Sequence, residues 1–103
     1  MSISKPLTSK QVKYLRGQAH SLKVVVTIGN NGLTDNVAME TDQGLERHEL
    51  LKVRVSAPDR EQRDAMIEEL RERTNSALIQ RIGHVATFYR RNIDNPRVDP
   101  GKP

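Results

Sequence analysis

The chain contains no cysteine. That excludes disulfides, thiolate metal sites and thiol nucleophiles together, and fits a reducing cytoplasm. Aromatic residues are nearly missing: Tyr14, Phe88 and Tyr89 are all there are. Phe88 or Tyr89 must serve the core, so an exposed platform of several aromatics for stacking bases cannot be built. No stretch approaches the ~18 consecutive apolar residues of a membrane span, and "MSISKPLTSKQ" at the start has no apolar secretory core. These absences predict a soluble, cytoplasmic protein.

Catalytic patterns are missing as well. His20, His48 and His84 fall on three separate segments, and none has a second histidine or a carboxylate at ligand spacing. Each reads as a surface or satisfied histidine. Glu46, Glu49, Glu61, Glu68, Glu69 and Glu72 read as solvated helix charges interleaved with Arg60, Arg63, Arg71 and Arg73. No serine stands in a nucleophile-elbow pattern. The expectation is a protein that is not an enzyme, with no metal, cofactor or small-molecule substrate.

What is present is basic charge, and it is sorted. Residues 1–23 carry Lys5, Lys10, Lys13, Arg16 and Lys23 and no acid, residues 24–89 are net acidic, and residues 90–103 are again net basic. A polyanionic partner would exploit such polarity, whereas a solvated surface does not require it. The 103 residues suffice for one domain, and an apolar content of 35% limits it to a thin core.

Local patterns supply the elements. Thr8 and Gln11 have capping-box spacing, with Leu7 and Val12 placed as a hydrophobic staple. At ~100° per residue, Val12, Leu15, Ala19 and Leu22 share one arc of a first helix. Lys13, Arg16, His20 and Lys23 share the adjacent arc, with Lys10 at its edge, as a basic ridge. "VVVTI" (24–28) reads as a strand covered on at least one side. Thr34 caps a second helix running to about Arg47, in which Gly44 suggests a close approach or fraying. In "ELLKVRVSA", Leu51, Val53 and Val55 alternate with Lys52 and Arg54, as in a half-buried strand. Asp59 and Gln62 open a third helix with a Met66, Ile67, Leu70 stripe, which ends near Thr74-Asn75-Ser76. "ALIQRI" and "HVATFYR", with Gly83 alone between them, form an antiparallel hairpin. Residues 92–103, polar and proline-rich, read as a disordered tail. The order αβαβαββ predicts a single-domain α/β sandwich with one four-stranded mixed sheet packed against helices.

One loop stands out. Gly29-Asn30-Asn31-Gly32 follows a strand and leads into a capped helix, where outward N–H groups and the positive end of the helix dipole accept a phosphate. Glycines permit close approach and positive φ; Asn31-Gly32 is equally a good turn dipeptide. A P-loop would need Gly-Lys-Ser/Thr where Gly32 is followed by Leu33, and the dinucleotide fingerprint lacks its first glycine pair. A polymer backbone phosphate fits better. Scarce aromatics and abundant Lys, Arg and Asn favour a partner recognised by backbone and shape, folded RNA rather than a DNA major groove.

The chain also resembles a known family. "LTSKQ" at residues 7–11, "AHSLK" at 19–23, "IGNNGLT" at 28–34 and "HELLKV" at 48–53 are similar, in that order, to the CRM domain, named for chloroplast RNA splicing and ribosome maturation. The stand-alone bacterial YhbY type is the nearest kind. The resemblance implies a fold like the C-terminal domain of translation initiation factor three, over residues 1–91. It implies RNA binding by the loop Gly29, Asn30, Asn31 and Gly32 and by a basic surface of Lys10, Lys13, Arg16, His20 and Lys23. It further implies association with ribosomal RNA in precursors of the large ribosomal subunit. Separately, a monomer is expected. Because the loop's central pair is neutral, charge is expected from the first helix. The competing expectation is a protein-interaction module whose basic helix docks on an acidic ribosome-associated protein.

Overall fold

The structure is a computed structural model and describes residues 7–29 and 31–92. Its elements run α1 (Ser9–Ala19), β1 (Val24–Ile28), α2 (Asp35–His48), β2 (Leu50–Val55), α3 (Arg60–Thr74), β3 (Ala77–Ile82) and β4 (Val85–Tyr89). The expected order and α/β class are thus observed. The proposed tail lies, from residue 93 on, outside the described residues.

Each helix begins where its cap predicts. The Thr8 hydroxyl accepts the Gln11 N–H at 3.2 Å and the Gln11 side chain accepts the Thr8 N–H at 3.0 Å, a complete capping box. Thr34 Oγ1 accepts from Val37 N at 3.2 Å, and Asp59 Oδ1 from Gln62 N at 2.8 Å. Asn75 closes α3 in the left-handed region at φ 53°, a conformation Asn tolerates better than most residues.

The four strands form one sheet in the order β1-β2-β4-β3. β1 and β2 are parallel; β4 is antiparallel to both neighbours. The α3 crossover therefore carries the chain past one strand position, and the hairpin then folds β4 back into the gap. Gly83 and His84 form the turn, one residue longer than the single-glycine connection expected. His84, the second turn residue, lies outside the β3–β4 pairing but is tied to β2, its carbonyl accepting the Val55 N–H at 2.7 Å.

Helices cover both faces, unequally. On one, α2 and α3 pack over Val26, Ile28, Leu51, Val53, Val55, Ala86 and Phe88. On the other, α1 alone covers one end, placing Leu15 and Ala19 against Leu50, Ile79 and Tyr89. Strand alternation turns Lys52 and Arg54 to this second face, beyond α1's reach. Gly44 is explained by close approach: a Cβ there would stand 2.6 Å from Leu51 Cδ2.

Three expectations need correction. The first helix ends at Ala19, with His20 as its C-cap; Leu22 and Lys23 therefore lie on the connection to β1, off the helical arcs, and Leu22 is exposed. Glu49 is not a solvated helix charge. Its φ is 65°, which turns the side chain inward to 0% exposure, and its carboxylate accepts the Asn92 N–H. Nor does Arg90 add to a free basic end: its guanidinium binds the Asp42 carboxylate at 2.6 Å and the Thr74 carbonyl at 2.8 Å. Both residues tie the chain after β4 to the end of α2.

Candidate nucleic-acid interface

The Gly29–Gly32 loop sits at the carboxyl end of edge strand β1. Gly32 N–H donates to Gly29 O at 3.0 Å, closing a turn that holds Gly32 at φ +73°, where a residue with a Cβ is strained. Gly29 has no such constraint, and a Cβ built there meets nothing within 4 Å. Asn31 is exposed, while Asn30 lies outside the described residues. At the start of α2, Thr34 receives the N–H groups of Val37, at its hydroxyl, and of Ala38, at its carbonyl. Those of Asp35 and Asn36 are left outward, with no acceptor among the described residues. The Asp35 carboxylate, fully exposed at this mouth, is held by Arg73 at 2.7 Å, which offsets the one acid at the seat.

The predicted basic residues do not converge on this loop. Lys10, Lys13 and Arg16 are exposed on α1, across the sheet from α2. Lys23 precedes β1, so the five residues of that strand, about 20 Å of extended chain from end to end, separate it from Gly29. His20 caps α1 and is exposed. Together they line one side of the molecule, with the loop at its far rim.

The structure places two other polar side chains, Arg54 and His84, nearer the loop. Arg54 is the register partner of Thr27, two residues before Gly29. His84, on the hairpin turn, joins Arg54, Ser56, Ala57 and Pro58 around a cavity of about 500 Å³, and Ser56 N–H donates to Ile28 O at 2.9 Å beside the loop. Lys52 and Arg54 had a signal in sequence: two cations on the outward positions of a strand. What sequence could not show is that this strand is interior to the sheet and its outward face left open. His84 had no signal, since its place depends on pairing with β2.

Charge divides by layer. All eleven acids among the described residues lie on α2, on α3 or at their caps; α1 and the strands carry none. The acidic layer is largely self-neutralised. Arg60, Arg71 and Arg73 pair with Asp64, Glu68, Glu69, Glu72 and Asp35, while Arg81 and Arg90 reach in from β3 and the end of β4. Hydrogen bonds from Arg71 hold the Glu68 carboxyl below its ordinary range, and Glu68 in turn raises Arg71. By contrast, Lys10, Lys13, Arg16, Lys23, Lys52 and Arg54 form no ion pair among the described residues. A sheet face and helix carrying free cations and no acid form a surface complementary to a polyanion. Among the described residues, no group of three or more His, Asp or Glu is placed to hold a metal, and no helix is long and apolar enough to cross a membrane.

Comparison with known proteins agrees with this fold. The solution structure of the Staphylococcus aureus protein SAV1595 superposes with a TM-score of 0.78 at 35% identity, covering 91% of this chain and 98% of that one. A Haemophilus influenzae protein named "RNA-binding protein" is 43% identical over 84 residues, 82% of this chain and 85% of its own. "Probable RNA-binding protein YqeI" of Bacillus subtilis is 32% identical over 93 residues, 90% and 97% of the respective chains. A family model for the CRS1 / YhbY (CRM) domain matches residues 7–90, and it is to this family that the chain belongs.

Proposed function

We propose that this protein is a non-enzymatic RNA-binding protein that associates with precursors of the large ribosomal subunit and assists their maturation. The observation that carries RNA binding is the layered charge: six cations free of acid on α1, its connection to β1, and β2, against an acidic layer that pairs with itself. Relatives named as RNA-binding proteins support the partner class, and family membership supports the ribosomal setting. RNA backbone lies along the α1 side, with Lys10, Lys13, Arg16, Lys23, Lys52 and Arg54 as counter-charges. At the rim, the Gly29–Gly32 loop and the start of α2 hold a phosphate by N–H groups. Asn30 and Asn31 contact ribose or base, Arg54 supplies the charge the neutral loop lacks, and His84 offers a hydrogen-bonding ring beside it.

Gly29 and Gly32 separate geometry from binding. Gly29→Ala meets no atom and no φ penalty, so it should leave stability unchanged while weakening RNA binding by crowding the phosphate. Gly32→Ala should cost stability of about 1–2 kcal/mol from the left-handed backbone. Denaturant titration and filter binding to ribosomal RNA fragments at fixed salt measure the two effects. An unchanged affinity for Gly29→Ala removes the loop from the binding site. For the ribosomal setting, the protein should co-sediment with large-subunit precursors and be released by nuclease; association that survives nuclease would indicate protein contacts instead.

A further inference from the structure

A groove of about 710 Å³ opens at the other end of β1, between the end of α1, the start of the sheet and the end of α2. Its floor is apolar, formed by Leu22, Val25 and Leu50; its rim carries Lys23, Arg47 and His48, and no carboxylate lines it. Two departures from simple patterning create it. Because α1 stops at Ala19, Leu22 never reaches the core and stays 37% exposed. Because the register shifts between Val24 and Val26, Val25 bulges from the ladder and is 58% exposed. The "AHSLK" and "HELLKV" segments, far apart in sequence, both contribute to its walls.

An apolar floor beneath a cationic rim suits a planar, uncharged ring bearing a phosphate. Gln18 at the edge can hydrogen-bond a base edge, and the planar guanidinium of Arg47 can stack on a ring. The rim is continuous with the acid-free α1 side through Lys23, which favours RNA over a peptide as occupant. We infer that this groove receives one unstacked nucleotide of the bound RNA, at the opposite end of β1 from the phosphate-holding loop. This rests on the RNA-binding reading above. It adds a preference that the cationic face alone does not give: single-stranded or looped RNA over continuous duplex.

The test compares a single-stranded RNA 12-mer carrying 2-aminopurine with a blunt duplex of the same sequence, bound to the full chain. No Phe, Tyr or Trp lines the groove, so a 2-aminopurine drawn out of its base stack should brighten on binding. The double variant Leu22→Ser, Val25→Ser removes the exposed floor without changing charge, and its thermal melt verifies folding. It should lose the brightening and about tenfold of single-strand affinity, as expected for ~60 Å² of lost apolar contact, with duplex affinity unchanged. Arg47→Gln should show the same selective loss. Equal losses on both RNAs, or none on either, would overturn the groove while leaving RNA binding intact. Failure of the wild-type chain to bind either RNA would overturn both readings. Displacement of a bound acidic, apolar peptide by neither RNA, with that peptide's binding lost in the double variant, would assign the groove to protein.

Discussion

Four arginines allow the charge layering to be tested at constant net charge. Arg16 on α1 and Arg54 on β2 belong to the free cationic side; Arg60 and Arg71 on α3 are ion-paired with Asp64, Glu68 and Glu72. The double variants Arg16→Gln, Arg54→Gln and Arg60→Gln, Arg71→Gln remove the same charge and the same chemistry. If each α1-side arginine neutralises one phosphate, the slope of log affinity against log salt should fall by about 0.7–0.9 per residue. That is about 1.4–1.8 for the pair. Between 50 and 200 mM salt, the advantage of the wild type over this variant should then shrink about tenfold. The α3 pair should leave the slope unchanged, because its arginines already neutralise protein carboxylates and lie across the sheet from α1. Its stability loss should also be small, since these pairs are exposed and screened by solvent. Fluorescence anisotropy with one RNA at four salt concentrations is sufficient. Equal slopes for the two variants would refute the reasoning, because binding would then follow net charge and not a face.

Three further perturbations probe the fold that presents this face. Gly44→Ala should destabilise by about 1–2 kcal/mol, because overpacking against the buried Leu51 outweighs the gain in helix propensity. In a Leu51→Ala background the same change should become stabilising, and chemical denaturation yielding one sign in both backgrounds would show that the two positions do not touch. Arg90→Ala removes the charged bonds to Asp42 and to the Thr74 carbonyl, and should cost about 2 kcal/mol in the same assay. The Glu68 carboxyl lies below its ordinary range because Arg71 bonds it, so its contribution is present above the unfolded value and lost as pH falls through the folded one. Glu68→Gln should therefore flatten slightly the fall of Tm between about pH 5 and 3; an unchanged acid limb would show that the exposed pair is ineffective.

Much of the fold was legible because its signals are local. Thr8, Thr34 and Asp59 cap helices through hydroxyl or carboxylate oxygens that reach only three residues along the chain, so spacing alone locates them. The alternation in β2 and the glycine loop between strand and helix are equally short-range. Misreadings arose where a longer-range contact decides. Helical periodicity carried Leu22 and Lys23 onto α1, but nothing in that pattern encodes where the chain must leave the helix to enter β1. Glu49 looks solvated in sequence; only the return of residues 90–92 against α2 buries it.

The sequence by itself determined the element order, the caps, the class of fold and the excess of free cations near its start. It also determined that a neutral, glycine-bounded loop would precede a capped helix. Only the tertiary structure decided that β4 inserts between β2 and β3, that α1 covers one end of one face, and that every described acid collects in the opposite layer. Strand order and layer assignment are set by which apolar faces bury one another across long chain separations. Those contacts, rather than any motif, bring Arg54 and His84 beside the loop, spread Lys10 to Lys23 along a face, and open a groove at the far end of β1.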